Sequence, residues 1–286
     1  MKSGIALALL LLLVSCSRTP QVVTSVCPPV EGVEQVLSGT GVFIGDMHGS
    51  NQSPAFLAAL ACHAMKHGRP VIAAMEYDAQ DQPVLDRFLR TRDADAAMEL
   101  LTQTPHWTGN ADGRASVAMA NALRALHGYR HAGGDLRLIA YDFWGPDGQE
   151  RDRRSAQYLE QLRIDATPGT FWILFGGNVH ARKVTGLPFR NAPPGSAQHQ
   201  PLGYLVRDWE LVHLDARYHG GELWGCTGGS REGCSIRDLG PACPTGCRVE
   251  PIIRLDSSDP AYDGVYDVSM LSVSRPLHWR ADVPAR

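Results

Sequence analysis

Two hydrophobic runs that lie far apart in the chain end in the same short pattern. Gly41–Gly45 is followed three residues later by His48, and Phe171–Gly177 is followed three residues later by His180. Each run is typical of a buried strand, and each places an imidazole just beyond the carboxyl end of that strand. In open α/β sheets, the carboxyl ends of the strands form the edge at which ligands bind. The pattern therefore predicts that His48 and His180 meet at one site.

Strand-like and helix-like segments alternate along the first two thirds of the sequence. The predicted strands are 41–45, 71–75, 136–141 and 170–175. The predicted helices are 54–67, 83–90, 94–103, 114–131 and 151–163. This alternation favours an α/β fold with a mostly parallel sheet sandwiched by helices.

The last third of the chain loses this alternation. Residues 203–206 and 211–214 are consistent with a hairpin, and residues 220–250 are rich in cysteine, glycine and proline. We therefore expect a single α/β domain over residues 39–286 that includes a cysteine-rich, loop- and β-rich C-terminal extension.

All four predicted strands end in ionisable side chains. These are Asp46 and His48, Glu76 and Asp78, Asp142, and His180 and Arg182. Apolar residues drive the burial of such strands, so a charge at the end of each one brings no packing benefit. Their common position predicts a polar cleft, with Asp46, Asp142 and Arg182 as supporting residues.

Two histidines and a carboxylate can support two kinds of chemistry. His48, Glu76 and His180 match the ligand set of many catalytic zinc or iron sites, so a divalent metal held by these three is one interpretation. They equally match a metal-free arrangement in which Glu76 tunes a histidine base that activates water. Arg151 is suited to bind an anionic substrate group or a developing oxyanion. The structural alternatives are histidines bonded to loop carbonyls and a solvated basic turn at Arg151.

Several common functional classes are not indicated. The sequence contains no Gly-x-Gly-x-x-Gly, no P-loop, no His-Glu-x-x-His and no Gly-x-Ser-x-Gly elbow, so a serine hydrolase is not expected. The formal net charge of −3 gives no reason to expect a nucleic-acid partner.

The N-terminus has the pattern of an export signal. Lys2 provides a positive charge, residues 5–14 are apolar, and Leu-Val-Ser-Cys16 resembles the bacterial lipobox. We therefore predict a signal peptide over residues 1–15 and lipidation of Cys16, with an ordinary secretory signal as the alternative.

The residues after Cys16 suggest where the protein resides. Residues 16–38 are predicted to form a lipidated tether, and Ser17 stands where an inner-membrane retention signal would place an aspartate. The sequence thus indicates a cell-envelope protein that is anchored to the outer membrane through its lipid and faces the periplasm.

The remaining cysteines are consistent with an oxidising compartment. An even number of cysteines in an exported chain indicates disulfides, although the pairing does not follow from the sequence. A structural zinc site is the alternative for the four cysteines in 226–247. The candidates are Cys27, Cys62, Cys226, Cys234, Cys243 and Cys247.

The order of these motifs resembles a superfamily that joins the erythromycin esterases, the ChaN-like haem-binding lipoproteins and the Tiki/TraB proteins. The resemblance covers about residues 41 to 182. The matching segments are Gly45-Asp-Met-His48-Gly49 with Pro54 just after it, Met75-Glu76, Arg151-Asp152 and Gly177-Asn-Val-His180.

The resemblance implies an α/β sheet between helices and a cleft built from His48, Glu76, Arg151 and His180. Esterase relatives hydrolyse a macrolide lactone with a histidine that activates water, Tiki relatives resemble metal-dependent proteases, and ChaN-like relatives bind haem. Asp46 departs from the pattern, because a glutamate is usual there in the esterase and ChaN members.

The first functional hypothesis is a lipid-anchored hydrolase that cleaves an ester or amide in a small-molecule or peptide substrate. Its catalytic residues would be His48, Glu76, Arg151 and His180. The alternatives are a ChaN-like protein that binds haem or iron, and a non-catalytic envelope scaffold.

Overall fold

The computed structural model describes residues 26–145, 147–189, 195–227, 231–241, 247 and 250–279. The predicted signal peptide, the lipidation site Cys16 and the disulfide candidate Cys243 lie outside this part of the chain.

The described residues form ten strands and eight α-helices. The strands are β1 Gly41–Asp46, β2 Val71–Asp78, β3 Leu136–Asp142, β4 Phe171–Gly177, β5 Val212–Arg217, β6 Gly220–Cys226, β7 Cys234–Asp238, β8 Ile252–Arg254, β9 Gly264–Asp267 and β10 Met270–Leu271. The helices are α1 Glu34–Leu37, α2 Gln52–Lys66, α3 Gln82–Arg90, α4 Ala94–Thr102, α5 Pro105–Gly109, α6 Val117–His131, α7 Gly148–Ile164 and α8 Leu202–Leu205.

The main sheet has seven strands in the order β3-β2-β4-β1-β5-β9-β8, and every pair is parallel except β8 with β9. Strands β1 and β4 are buried along their whole length, as expected where helices cover both faces of a parallel sheet. The predicted α/β fold is therefore confirmed.

Successive residues of β1 point to opposite faces of the sheet and into two separate cores. Val42 and Ile44 belong to a large core with α2, α3, α4 and α6, whereas Phe43 belongs to a smaller core with Leu159 of α7 and Leu202 of α8. This alternation fixes the register of β1 and therefore fixes where the residues after it emerge.

The topology explains why the predicted residues meet. The chain passes from β1 to β2 and leaves a gap that β4 later fills, so the carboxyl ends of β1, β4 and β2 are neighbours. A change of direction of this kind is where open α/β sheets form their binding crevice.

The C-terminal extension is a second, three-stranded sheet in the order β10-β6-β7. Cys226 and Cys234 pair across the β6–β7 hairpin, and Cys27 is bonded to Cys62 of α2. The prediction of disulfides is thus confirmed for these four cysteines, and the zinc alternative is wrong for Cys226 and Cys234.

Two local predictions are wrong. Residues 203–206 and 211–214 do not form a hairpin, because α8 occupies most of the first segment and β5 pairs with β1 and β9 in parallel. The tether cannot extend to residue 38, because Cys27 is crosslinked and the side chains of Val33 and Val36 are buried in the core.

Within the described residues, no helix combines the length and the apolar character that crossing a bilayer requires.

Candidate active site

Glu76 lies at the centre of the cleft, near the end of β2, and only 5% of it is exposed. Its Oε1 accepts hydrogen bonds from Arg114 Nη1 at 2.8 Å and Arg151 Nη2 at 2.6 Å. Its Oε2 accepts the backbone N–H of Gly177 at 2.7 Å. Both carboxylate oxygens are therefore occupied, which fixes the orientation of the side chain.

The charge of Glu76 is stabilised by the groups around it. Burial alone would raise the pKa of Glu76, but Arg114, His180, His48 and Arg151 outweigh burial and hold the pKa well below its usual range. Glu76 is thus an anion at neutral pH and is poorly suited to act as a base.

His48 follows β1 and is held by Asp46, the last residue of that strand. Its Nδ1–H donates to Asp46 Oδ2 at 2.6 Å, and its Nε2 lies 3.7 Å from Glu76 Oε2. Burial would lower the pKa of His48, but the charges of Asp46, Glu76 and Asp112 and the hydrogen bond to Asp46 raise it to about 9. His48 therefore carries a proton on both nitrogens at neutral pH.

His180 follows β4 and is held in the same manner by a different carboxylate. Its Nδ1–H donates to Oδ1 of Asp152, a buried residue of α7, at 2.7 Å. Burial lowers the pKa of His180, whereas the bond to Asp152 and the charge of Glu76 raise it, and the net shift is upward. Both histidines thus use Nδ1 for a carboxylate and retain Nε2 for a substrate or water.

The two arginines bridge Glu76 to two further carboxylates. Arg151 is bidentate to Asp142, through Nε at 2.5 Å and Nη2 at 2.7 Å. Arg114 is bidentate to Asp112, through Nε at 3.0 Å and Nη2 at 2.5 Å. Planar, doubly bonded pairs of this kind hold a guanidinium rigidly.

Trp144 covers this arginine pair at the surface. Its ring centre lies 4.2 Å from Cζ of Arg114 and 4.7 Å from Cζ of Arg151, and the residue is 47% exposed. The indole thus shields the guanidinium groups from water on one side and strengthens their interactions with Glu76.

Arg114 is not among the site residues predicted from the sequence, because the sequence predicts that Arg114 begins a helix. The helix begins later, at Val117, and Arg114 lies in the preceding loop. That loop approaches the turn of His48 closely at Gly113, where a Cβ would lie 2.5 Å from the backbone nitrogen of Gly49. Gly113 is therefore a feature of the sequence that could indicate this close approach and, with it, the position of Arg114.

The turn of His48 is also held by the second sheet. The carbonyl of Gly49 accepts the backbone N–H of Trp224 at 3.0 Å and that of Ser274 at 2.7 Å. The indole of Trp224 in turn donates to the carbonyl of Ala111 at 2.7 Å. The C-terminal extension therefore fixes both loops that contribute to the cleft.

Arg151 and Asp152 lie one turn inside α7 instead of at its start. The helix begins at Gly148, and Asp147 caps it by accepting the N–H groups of Gln149 and Glu150. Asp152 lies beyond the first turn of α7, the turn in which the helix dipole favours a negative charge, and its carboxylate is available to bind His180.

Arg182 does not join the Glu76 network. Its Nη1 lies 3.8 Å from Asp259, beside a cavity of about 230 Å³ that is lined by residues including Asp215, Asp259 and Tyr262. His180 and Arg182 diverge because the chain turns directly after β4.

The tentative metal triad does not fit a divalent cation. Within the part of the chain that the structure describes, no three His, Cys, Asp or Glu side chains are arranged to hold a metal. Both oxygens of Glu76 are engaged by donors, and the positive charges of Arg114 and Arg151 would repel a cation there. His48 and His180 thus lie beside Glu76 without forming a ligand set.

Haem binding stays a prediction. Tyr77 and Tyr141, the tyrosines nearest the strand ends, are both buried, and the hydroxyl of Tyr141 donates to the carbonyl of Phe175 at 3.2 Å.

Comparisons with known proteins bear on the fold. No protein-family model matches the chain, and no curated protein matches it. A variant of the erythromycin esterase EreC in its open conformation has a TM-score of 0.58 and 11% identity, over 83% of this chain and 92% of that one. A structure described as a succinoglycan biosynthesis protein has a TM-score of 0.52 and 10% identity, over 84% of this chain and 90% of that one.

Weaker matches include the haem-bound ChaN of Campylobacter jejuni, with a TM-score of 0.38 and 10% identity over 65% of this chain and 84% of that one. The chain also spans 37% of a bacterial protein toxin, with a TM-score of 0.45 and 16% identity.

The protein thus has the α/β fold of the erythromycin esterases. The fold similarity agrees with the resemblance that the strand-end motifs indicate.

Proposed function

We propose that this protein is a hydrolase that cleaves a carboxylic ester or amide with water. The observation that carries the proposal is the matched pair of imidazoles beside Glu76. His48 and His180 each donate from Nδ1 to a buried aspartate and retain Nε2 at a partly exposed surface. A carboxylate on one ring nitrogen fixes the tautomer and orientation of an imidazole, as catalytic histidines require.

The two histidines can divide the roles of acid and base between them. The pKa of His48 is raised to about 9, so His48 is the acid. His180, whose Nδ1 is held by Asp152 and whose Nε2 stays available, is then the base. In this assignment the water-activating histidine is His180, whereas His48 protonates the leaving group.

The steps follow from these charges. Nε2 of His180 takes a proton from water, and the water oxygen bonds to the carbonyl carbon. Arg151 stabilises the negative charge that develops on the carbonyl oxygen. As the bond to the leaving group breaks, His48 donates the proton of its Nε2 to the departing oxygen or nitrogen. The proton that His180 accepted then passes through water to Nε2 of His48, and the site is restored.

The proposal includes attachment to the cell envelope through lipid on Cys16. The lipobox-like sequence supports it, and the disulfides Cys27–Cys62 and Cys226–Cys234 are consistent with an oxidising compartment. A small-molecule or peptide substrate would then reach the cleft from the periplasm.

The test measures hydrolysis by the purified protein of p-nitrophenyl esters of increasing acyl length, a macrocyclic lactone and a p-nitroanilide. We expect His180→Ala and His48→Ala each to lower kcat/KM by about 10²–10⁴ on any substrate that is cleaved. His67→Ala is the matched control, because His67 lies exposed at the end of α2. Full activity in both cleft variants, with unchanged circular dichroism, would contradict the proposal. A Soret shift with micromolar haem in a protein inert to the whole panel would favour the haem-binding alternative.

A further inference from the structure

A second imidazole binds the carboxylate that holds His180. Asp152 Oδ1 accepts Nδ1–H of His180 at 2.7 Å, and Asp152 Oδ2 accepts Nε2–H of His199 at 3.0 Å. Asp152 is only 2% exposed, so these bonds replace hydration of its charge. Both bonds lower the pKa of Asp152 against the effect of burial, so the bridging group is an anion.

The position of His199 is set by the helix that carries Asp152. The side chain of Gln149, also on α7, accepts the N–H of Gln200 at 2.7 Å and donates to the carbonyl of Gln200 at 3.2 Å. The carbonyl of His199 accepts the N–H of Gly186 at 2.8 Å. Bonds on both sides of His199 thus hold its ring against Asp152.

The other half of the cleft provides an internal comparison. Asp46 bonds His48 through Oδ2, while its buried Oδ1 has no hydrogen-bond partner among the described residues. Asp46 therefore directs its whole charge at one imidazole, whereas Asp152 divides its charge between two. A carboxylate shared between two donors stabilises the charged form of either imidazole less than one that serves a single ring.

We propose that His199 is a positioning residue that, by occupying the second oxygen of Asp152, limits how strongly Asp152 stabilises the protonated form of His180. The other charged groups that act on His180 are Glu76, which favours its protonation, and Arg151, which opposes it. His199 has no contact with the reacting atoms in this scheme and acts through Asp152. The proposal rests on the role of His180 as the base in the proposed hydrolysis.

The experiment is an NMR titration of the histidine Cε1–H resonances in the protein without substrate. Variant His199→Leu keeps the volume but cannot donate to Asp152, and His199→Gln restores an N–H donor. We expect the pKa of His180 to rise by about one unit in His199→Leu and to stay near the wild-type value in His199→Gln. His67→Ala is the control, and His199→Ala replaces the leucine variant if that protein does not fold.

An unchanged or lowered titration midpoint of His180 in His199→Leu would overturn the proposal. The readout needs no substrate, so it remains decisive even if the protein hydrolyses nothing. Where hydrolysis is found, the rise of kcat/KM with pH should move to higher pH in His199→Leu while the plateau of kcat changes little. The two proposals can fail separately. If His180→Ala loses hydrolysis but His199→Leu leaves the titration of His180 unchanged, the proposed function stands and only the role of His199 is removed.

Discussion

Replacing Glu76 with glutamine should destabilise the folded protein strongly at neutral pH. The change keeps the shape of the side chain but removes the charge that the two partly buried guanidinium groups of Arg114 and Arg151 share. It also introduces an amide N–H₂ group where every neighbour, Arg114, Arg151 and the N–H of Gly177, is a donor.

The magnitude follows from what remains after the change. Breaking a buried ion pair by removing one partner costs about 3–5 kcal/mol. Arg114 keeps its bidentate bond to Asp112, and Arg151 keeps its bond to Asp142. We therefore expect a loss of about 2–3 kcal/mol in the free energy of unfolding at pH 7, at or just below the low end of that range.

The pH dependence gives a second, independent check. The pKa of Glu76 is depressed in the folded state, so its stabilisation is present above the unfolded pKa of about 4.3 and is lost as pH falls through the folded value. The difference between wild type and Glu76→Gln should therefore shrink when the pH is lowered below about 4.

Urea unfolding followed by tryptophan fluorescence measures both effects. Glu160→Gln is the matched control, because Glu160 pairs with Arg163 on the surface and its loss should cost at most about 0.5 kcal/mol. If Glu76→Gln unfolds within about 0.5 kcal/mol of wild type at pH 7, the electrostatic description of the cleft is wrong.

Three further predictions concern the cleft and its supports. Gly177→Ala should fold but lose hydrolysis, because a Cβ there would lie 3.1 Å from Nε2 of His48. Urea unfolding measures the stability of this variant, and kinetics measure its activity. Hydrolysis should fall as pH rises through about 9, where His48 loses its proton, and Asp46→Asn should move this fall to lower pH in the measured kcat/KM profile. Replacing both Cys27 and Cys62 with serine should cost about 2–4 kcal/mol of unfolding free energy, and a cost near zero would show that the crosslink is dispensable.

The residues that follow the strands could be predicted because their positions depend on local pattern. His48, Glu76 and His180 follow or end apolar runs, and the parallel sheet brings those ends to one edge. The position of Asp142, at the end of β3, follows from the same rule.

Residues in loops could not be predicted, because non-local contacts place them. Arg114 reaches Glu76 only because Gly113 lies against Gly49, some sixty residues earlier in the chain. His199 reaches Asp152 because Gln149 holds the neighbouring backbone. Neither contact leaves a periodic signal in the sequence.

The wrong hairpin has a similar cause. The apolar run at 211–214 correctly indicates a strand, but its local pattern does not identify the partner. That partner is β1, whose second edge would otherwise be left unpaired in the middle of the sheet. Arg182 lies away from Glu76 because residues two apart share a face in a strand but separate in a turn.

The bonds to the carbonyl of Gly49 have a consequence for the order in which the protein matures. Trp224 and Ser274, which make those bonds, are synthesised long after the strands of β1 and β4. A folding chain that has formed the parallel sheet but has not yet docked the second sheet still lacks the final contacts of the His48 turn. The geometry that the proposed function requires of His48 is therefore complete only once the second sheet has docked against this turn.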